Sequence, residues 1–171
     1  MKKGVLPMER RDKINYYLDI AEAVSERSTC LRRKFGAIVV KNDEIISTGY
    51  NGAPRGRQNC TDLDFCYRER MGVPRGQRYE LCRSVHAEAN AIISASRADL
   101  LGATLYLACH DAKTDRLDGA VEPCSMCKRL ILNAGISQVV IRQDENAHFT
   151  IDTAEWITHD ESLAEDLSKG Y

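Results

Sequence analysis

His86 and Glu88 stand two residues apart in "SVHAEANAII", and Cys124 and Cys127 stand three apart in "EPCSMCKRLI". Cysteines with that spacing at the start of a helix lie on one face near its positive end. The field there favours the thiolate, which is the metal-binding form. With His86 the two sulfurs offer three zinc ligands and leave a fourth position for water, as catalytic rather than structural zinc sites do. Two thiolates neutralise the charge of the ion, so a nearby base becomes useful for taking a proton from that water, and Glu88 is placed for the task. Taken singly, each part has a plainer reading. A Cys-x-x-Cys serves as a redox pair or a structural clip, and a histidine near a helix start as a satisfied polar residue.

The elements that must position these side chains are readable from periodicity. Apolar residues at Ile14, Tyr17, Leu18, Ala21 and Val24 predict a helix from about Met8 to Ser28. Two β-rich runs, Phe35 to Val40 and Glu44 to Gly49, meet at Asn42-Asp43, which is hairpin chemistry. A helix from Ala87 to about Arg97, the strand "ATLYLAC", a helix from about Cys124 to Asn133 stopped by Gly135, and the strand "SQVVIR" follow. The order αββαβαβ predicts an α/β sandwich around a partly parallel, mixed sheet. Beyond Arg142 the signal weakens, and "DESLAEDLSKGY" reads as a short helix or a frayed tail. Two connections, at about 52–83 and 110–122, exceed ordinary loop length and flank the chemistry.

The chain's 171 residues, 43% hydrophobic, fit one domain spanning 1–171. Lys and Arg number 24 against 25 Asp and Glu, so no overall field argues for wrapping nucleic acid or lying on an anionic membrane. No run approaches the roughly 18 apolar residues of a membrane span, and "MKKGVLPMERRDK" lacks an apolar core after its lysines, so a cytoplasmic protein is the expectation. There the seven cysteines would serve metal ligation or catalysis rather than disulfides.

Read together, H-A-E, 34 intervening residues and P-C-x-x-C form the pattern of zinc-dependent nucleobase deamination. The stretch from Ser28 to about Arg142 resembles the cytidine deaminase superfamily, and within it the deoxycytidylate (dCMP) deaminases. The resemblance lies in "RRKFGAIVVKNDEIISTGYNGAPRG", "CRSVHAEANAI", "GATLY" and "CKRLILNAGISQVV". It implies a three-layer α/β/α sandwich with a central mixed sheet. It also implies catalytic Zn²⁺ held by His86, Cys124 and Cys127, with Glu88 carrying protons from water to N3 and the leaving amine while dCMP becomes dUMP and ammonia. Asn51, in "GYNGAPRG", is the candidate contact to the sugar. Arg97 is the candidate subunit contact, since the family forms homo-oligomers, often hexamers, and many members respond to dCTP and dTTP.

Cys30, Cys60, Cys66 and Cys82 are candidates for a second, structural zinc that would order the first long connection. Four buried thiols are the plainer reading. That connection carries seven arginines (Arg55, Arg57, Arg68, Arg70, Arg75, Arg78 and Arg83) against four carboxylates, a local excess of three positive charges that suits a phosphate. The sequence departs from the familiar family form in "ACHDAKTDRLDGAVEPCSMC", where extra residues precede the third helix and "EPCSMC" is closer to adenosine or guanine deaminases. The expectation is that this loop borders the pocket. The alternative function, deamination of nucleic acid or of another nucleobase or nucleoside, would call for a basic and aromatic track on nucleic acid, and aromatics are only 6%.

Overall fold

The computed structural model describes residues 10–74 and 76–159. Met8, where the first helix was expected to begin, Arg75 and the segment 160–171 lie outside the described residues. Helix α1 (Lys13–Ser25) starts where Asp12 caps it, its carboxylate accepting from the Asn15 amide at 3.0 Å. Strands β1 (Arg33–Lys41) and β2 (Glu44–Tyr50) form the expected hairpin, with Asn42 and Asp43 both at positive φ. The first long connection holds two single-turn helices, α2 (Cys60–Leu63) and α3 (Tyr67–Arg70), and a 3₁₀ turn at Tyr79–Leu81.

Helix α4 (Ala87–Ile93) is shorter than expected, because the chain breaks at Ser94 and restarts as α5 (Arg97–Leu100) under a Ser96 cap. Strand β3 (Thr104–Asp111), helix α6 (Ser125–Ala134) with its left-handed Gly135 cap, and β4 (Gln138–Arg142) match the expected pattern. The short strand β5 (His148–Asp152) and the turn α7 (Glu155–Thr158) were not anticipated.

The sheet order is β2-β1-β3-β4-β5, antiparallel except for the parallel β3/β4 pair that α6 connects. Strand alternation splits the core in two. Ile38, Val40, Tyr106, Ala108 and Val140 pack under Tyr17, Leu18 and Ala21 of α1. Ala37, Val39, Leu105, Leu107, Val139 and Ile141 pack on the other face with Ala87 and Ala91 of α4 and Ile131 of α6. Helices on both faces make the expected three layers.

Two glycines permit this closeness. A Cβ at Gly36 would meet the Ala21 carbonyl of α1 at 2.0 Å, and one at Gly49 would meet the Ala87 carbonyl of α4 at 2.2 Å. Ser47 then donates to the Ala91 carbonyl at 2.8 Å and Asn90 to that of Tyr50 at 2.7 Å, tying α4 onto β2. Among the described residues no helix is long and apolar enough to cross a membrane.

Candidate metal centre and substrate cavity

Beyond β2 the chain makes one further pair of backbone bonds, between Gly52 and Val85, at 3.2 and 2.8 Å. That bridge fixes the residue before His86, which then caps α4 in extended conformation. Cys124 caps α6 in the same way, and Cys127 lies in the first turn of that helix. The His86 Nδ1 comes to 3.4 Å from Cys124 Sγ and 3.3 Å from Cys127 Sγ. The three ligand atoms all lie within 4.8 Å of one another, a group that could hold a metal ion.

The donor set itself calls for a cation. The Cys124 thiol is held well below its ordinary value by its hydrogen bond with Cys127, against burial and with help from His86. Cys127 is pushed up by the same bond with Cys124, by burial and by Glu88. Alone, the pair therefore keeps one negative charge, and a divalent ion between the sulfurs would stabilise the second. Two sulfurs and one imidazole nitrogen are the donors zinc prefers.

Glu88 lies in the first turn of α4, 4% exposed. Burial is the main cause that raises its carboxyl above the ordinary value, and the nearby His86 only partly offsets it. A carboxyl raised in this way gives up its proton less readily than an ordinary one, which suits a group that must both take and return it.

His86, Glu88 and Cys124 line a cavity of about 260 Å³. Its walls come from both long connections: Cys60, Arg68 and Tyr79 from the first, Ala120, Val121 and Glu122 from the second. The insertion before α6 thus borders the pocket, as expected. Asn51 is 6% exposed and also lines it. Its side-chain oxygen accepts from Ser28 Oγ at 2.6 Å and the Phe35 amide at 2.8 Å, and its nitrogen donates to the Arg33 carbonyl at 2.9 Å.

Cys30, Cys60, Cys66 and Cys82 also face this cavity. They are free cysteines and do not form a group of ligand atoms within 4.8 Å, as the His86 trio does. Cys60 starts α2, Cys66 caps α3 and Cys82 ends the 3₁₀ turn, while Cys30 lies in the loop before β1. Cys109 is fully buried in the core, its thiol pushed up to about 12 by burial. Arg97 is exposed at the start of α5, away from the cavity lining.

Sequence reasoning missed Arg32, Arg33 and Tyr79. The hairpin register contained the signal for the arginines, because pairing Gly36 with Tyr50 brings the start of β1 toward Asn51. Tyr79 packs edge-on against the His86 ring at a centroid distance of 5.2 Å.

The chain is similar to known proteins along most of its described length. The cytidine and deoxycytidylate deaminase zinc-binding region matches residues 11–143. The deoxycytidylate deaminase of Mycobacterium phage D29 is 43% identical over 138 residues, covering 78% of this chain and 96% of the phage protein. That of Schizosaccharomyces pombe is 32% identical over 132 residues, covering 77% of this chain but only 37% of the yeast protein. The crystal structure of dCMP deaminase from the cyanophage S-TIM5 in complex with dCMP and dUMP superposes with a TM-score of 0.52 at 28% identity, covering 78% of this chain and 84% of that one.

Proposed function

The chain belongs to the zinc-binding cytidine and deoxycytidylate deaminase family of hydrolytic enzymes, and we propose that its substrate is dCMP, converted with water to dUMP and ammonia. The observation that carries this reading is the convergence of His86, Cys124 and Cys127, with His86, Cys124 and the buried Glu88 lining one cavity. The names of relatives that align along most of the described chain support the choice of dCMP.

When bound by His86, Cys124 and Cys127, zinc supplies the Lewis acidity that makes water nucleophilic at neutral pH. Glu88 accepts the proton that the attacking water gives up, then delivers it to N3 of the cytosine ring as C4 becomes tetrahedral. A second transfer through the same carboxyl protonates the departing amine, so ammonia leaves and the C4 carbonyl of uracil remains. Val121, 3% exposed, is the apolar part of the wall contributed by the second connection, and it limits water at the reacting base. Asn51 is the proposed contact to the sugar, held in the cavity wall by its bonds to Ser28, Arg33 and Phe35.

Ammonia release by zinc-loaded protein tests the reading, with dCMP, deoxycytidine, CMP and dCTP as parallel substrates. Selective turnover of dCMP is expected, and silence on dCMP would sink the proposal. Adding dCTP or dTTP to the same assay tests for effector responses of the kind its family resemblance suggests. Self-association through the face carrying exposed Arg97, in a cytoplasmic enzyme, belongs to the same proposal. Light scattering on wild type and Arg97→Glu tests it, and a monomer in both would count against it.

A further inference from the structure

Four arginines stand in the cavity wall, and they fall into two pairs. Arg32 has Glu69 at 3.2 Å and Arg33 has Asp118 at 2.5 Å, each a carboxylate brought by one of the long connections. Arg68 and Arg83 have no carboxylate at salt-bridge distance among the described residues. Arg68, 6% exposed, donates Nη2 to the carbonyls of Pro74, at 3.2 Å, and Gln77. Arg83 donates Nη2 to the Gln58 carbonyl at 3.1 Å. Neutral carbonyls fix the two side chains in place and leave both without a carboxylate partner among the described residues.

The same corner holds donors without acceptors. Nε of Arg68, Nε of Arg83 and Oγ of Ser84 are each buried and have no hydrogen-bond partner. Unpaired buried donors cost stability, so three of them around one cavity call for an explanation in terms of what enters it. The neighbouring thiols are the competing partners. None of their sulfurs lies within hydrogen-bond reach of these three donors, however.

Two unmatched guanidinium groups and a hydroxyl complement a dianion with several acceptor oxygens, which is a phosphate monoester. A neutral nucleoside brings neither the charge nor the oxygens. We infer that Arg68, Arg83 and Ser84 hold the phosphate of the nucleotide and set the preference for nucleotide over nucleoside. This assignment rests on the dCMP reading and adds to it the residues that read the phosphate. Arg68 has a second task. Its guanidinium lies 4.5 Å over the Tyr79 ring, and Tyr79 abuts His86, so the phosphate end and the metal end of the cavity share one stack.

Because Arg68 also holds its own loop, Arg83→Gln and Ser84→Ala are the informative variants. Steady-state kinetics on the zinc-loaded full chain would compare dCMP with deoxycytidine. Arg83→Gln is expected to reduce the preference for dCMP by about 100-fold, and Ser84→Ala by about 10-fold, the scale of losing charge-assisted and neutral hydrogen bonds. An unchanged preference, or equal losses on both substrates, would overturn the assignment. So would a fall in bound zinc in Arg83→Gln, since the arginine would then be a counter-ion for the thiols. If wild type fails to deaminate dCMP, the functional reading falls by itself. Calorimetry with inorganic phosphate then decides the subsite separately: binding to wild type that Arg83→Gln abolishes upholds it, and equal or absent binding removes it.

Discussion

Two clusters of buried charge sit on opposite faces of the sheet, and they are completed in different ways. On the α1 face, Arg142 at the end of β4 is fully buried. It pairs with Asp19 and, at 2.5 Å, with Glu22, and it donates to Asn15 Oδ1 at 2.6 Å and the Glu145 carbonyl at 3.0 Å. Every charge there finds its partner inside the chain. On the α4 and α6 face, two thiols and an imidazole converge beside a carboxyl whose burial raises its pKa. In that second cluster His86 helps hold one thiolate down, and holding both calls for a further cation. The closed cluster locks a helix onto a strand, whereas the open one can take a metal ion and a substrate.

The largest effect expected from this contrast is on the open side. Glu88→Gln should keep the ligand trio and its metal, as measured by elemental analysis, while turnover falls by about 10²- to 10⁴-fold, the contribution typical of general acid–base catalysis. Wild-type turnover in that variant would mean the carboxyl is only structural. On the closed side, Arg142→Ala should act on stability and leave bound zinc unchanged in the folded fraction. Breaking a buried pair costs about 3–5 kcal/mol when the remaining charge stays buried. Asp19 and Glu22 keep side-chain exposures of 46% and 30%, so water can take them over and the low end, about 3 kcal/mol, is expected in urea titration. A loss of metal at full stability would erase the distinction between the two clusters.

The open cluster was legible in the sequence and the closed one was not, and the reason is distance along the chain. His86 and Glu88 share one helix start, and Cys124 and Cys127 another, so short spacing carries the chemistry. Arg142 meets Asn15 and Asp19 across more than a hundred residues, with no local pattern announcing it. The same limit hid Arg32 and Arg33, whose role in the cavity wall depends on strand register. The Asn42-Asp43 turn, the Gly135 cap and the alternating strands were readable because each is a local backbone requirement. Strand β5 escaped because "HFTID" is a short edge strand, half-buried and polar at alternate positions. Its entry was nevertheless marked, since Asp144 accepts from the amides of Asn146 and Ala147 in a side-chain-stabilised turn. Cys30 and the three thiols of the first connection could be counted in the sequence, but the arrangement of those three depends on α2, α3 and the 3₁₀ turn, which are too short to show periodicity.

The smallest effect separates the clusters by pH. Hydrogen bonding from Arg11, with burial opposing and Arg142 adding, holds the Asp19 carboxyl below its ordinary value of 3.8. A depressed carboxyl binds its proton more readily in the unfolded chain, so stability rises with pH across that range. Its contribution is therefore complete above the ordinary value and is lost as pH falls through the lower, folded one. Asp19→Asn should flatten the acid limb of the stability profile below about pH 5 and change little at neutrality beyond the loss of one half-exposed ion pair. The open cluster also weakens in acid, because protons compete with zinc for the histidine and the thiolates. Chelator-treated protein removes that second contribution, so whatever acid dependence remains there and disappears in Asp19→Asn belongs to the closed cluster. An identical acid limb in metal-free wild type and Asp19→Asn would show that Arg142 is held by packing and carbonyls rather than by Asp19.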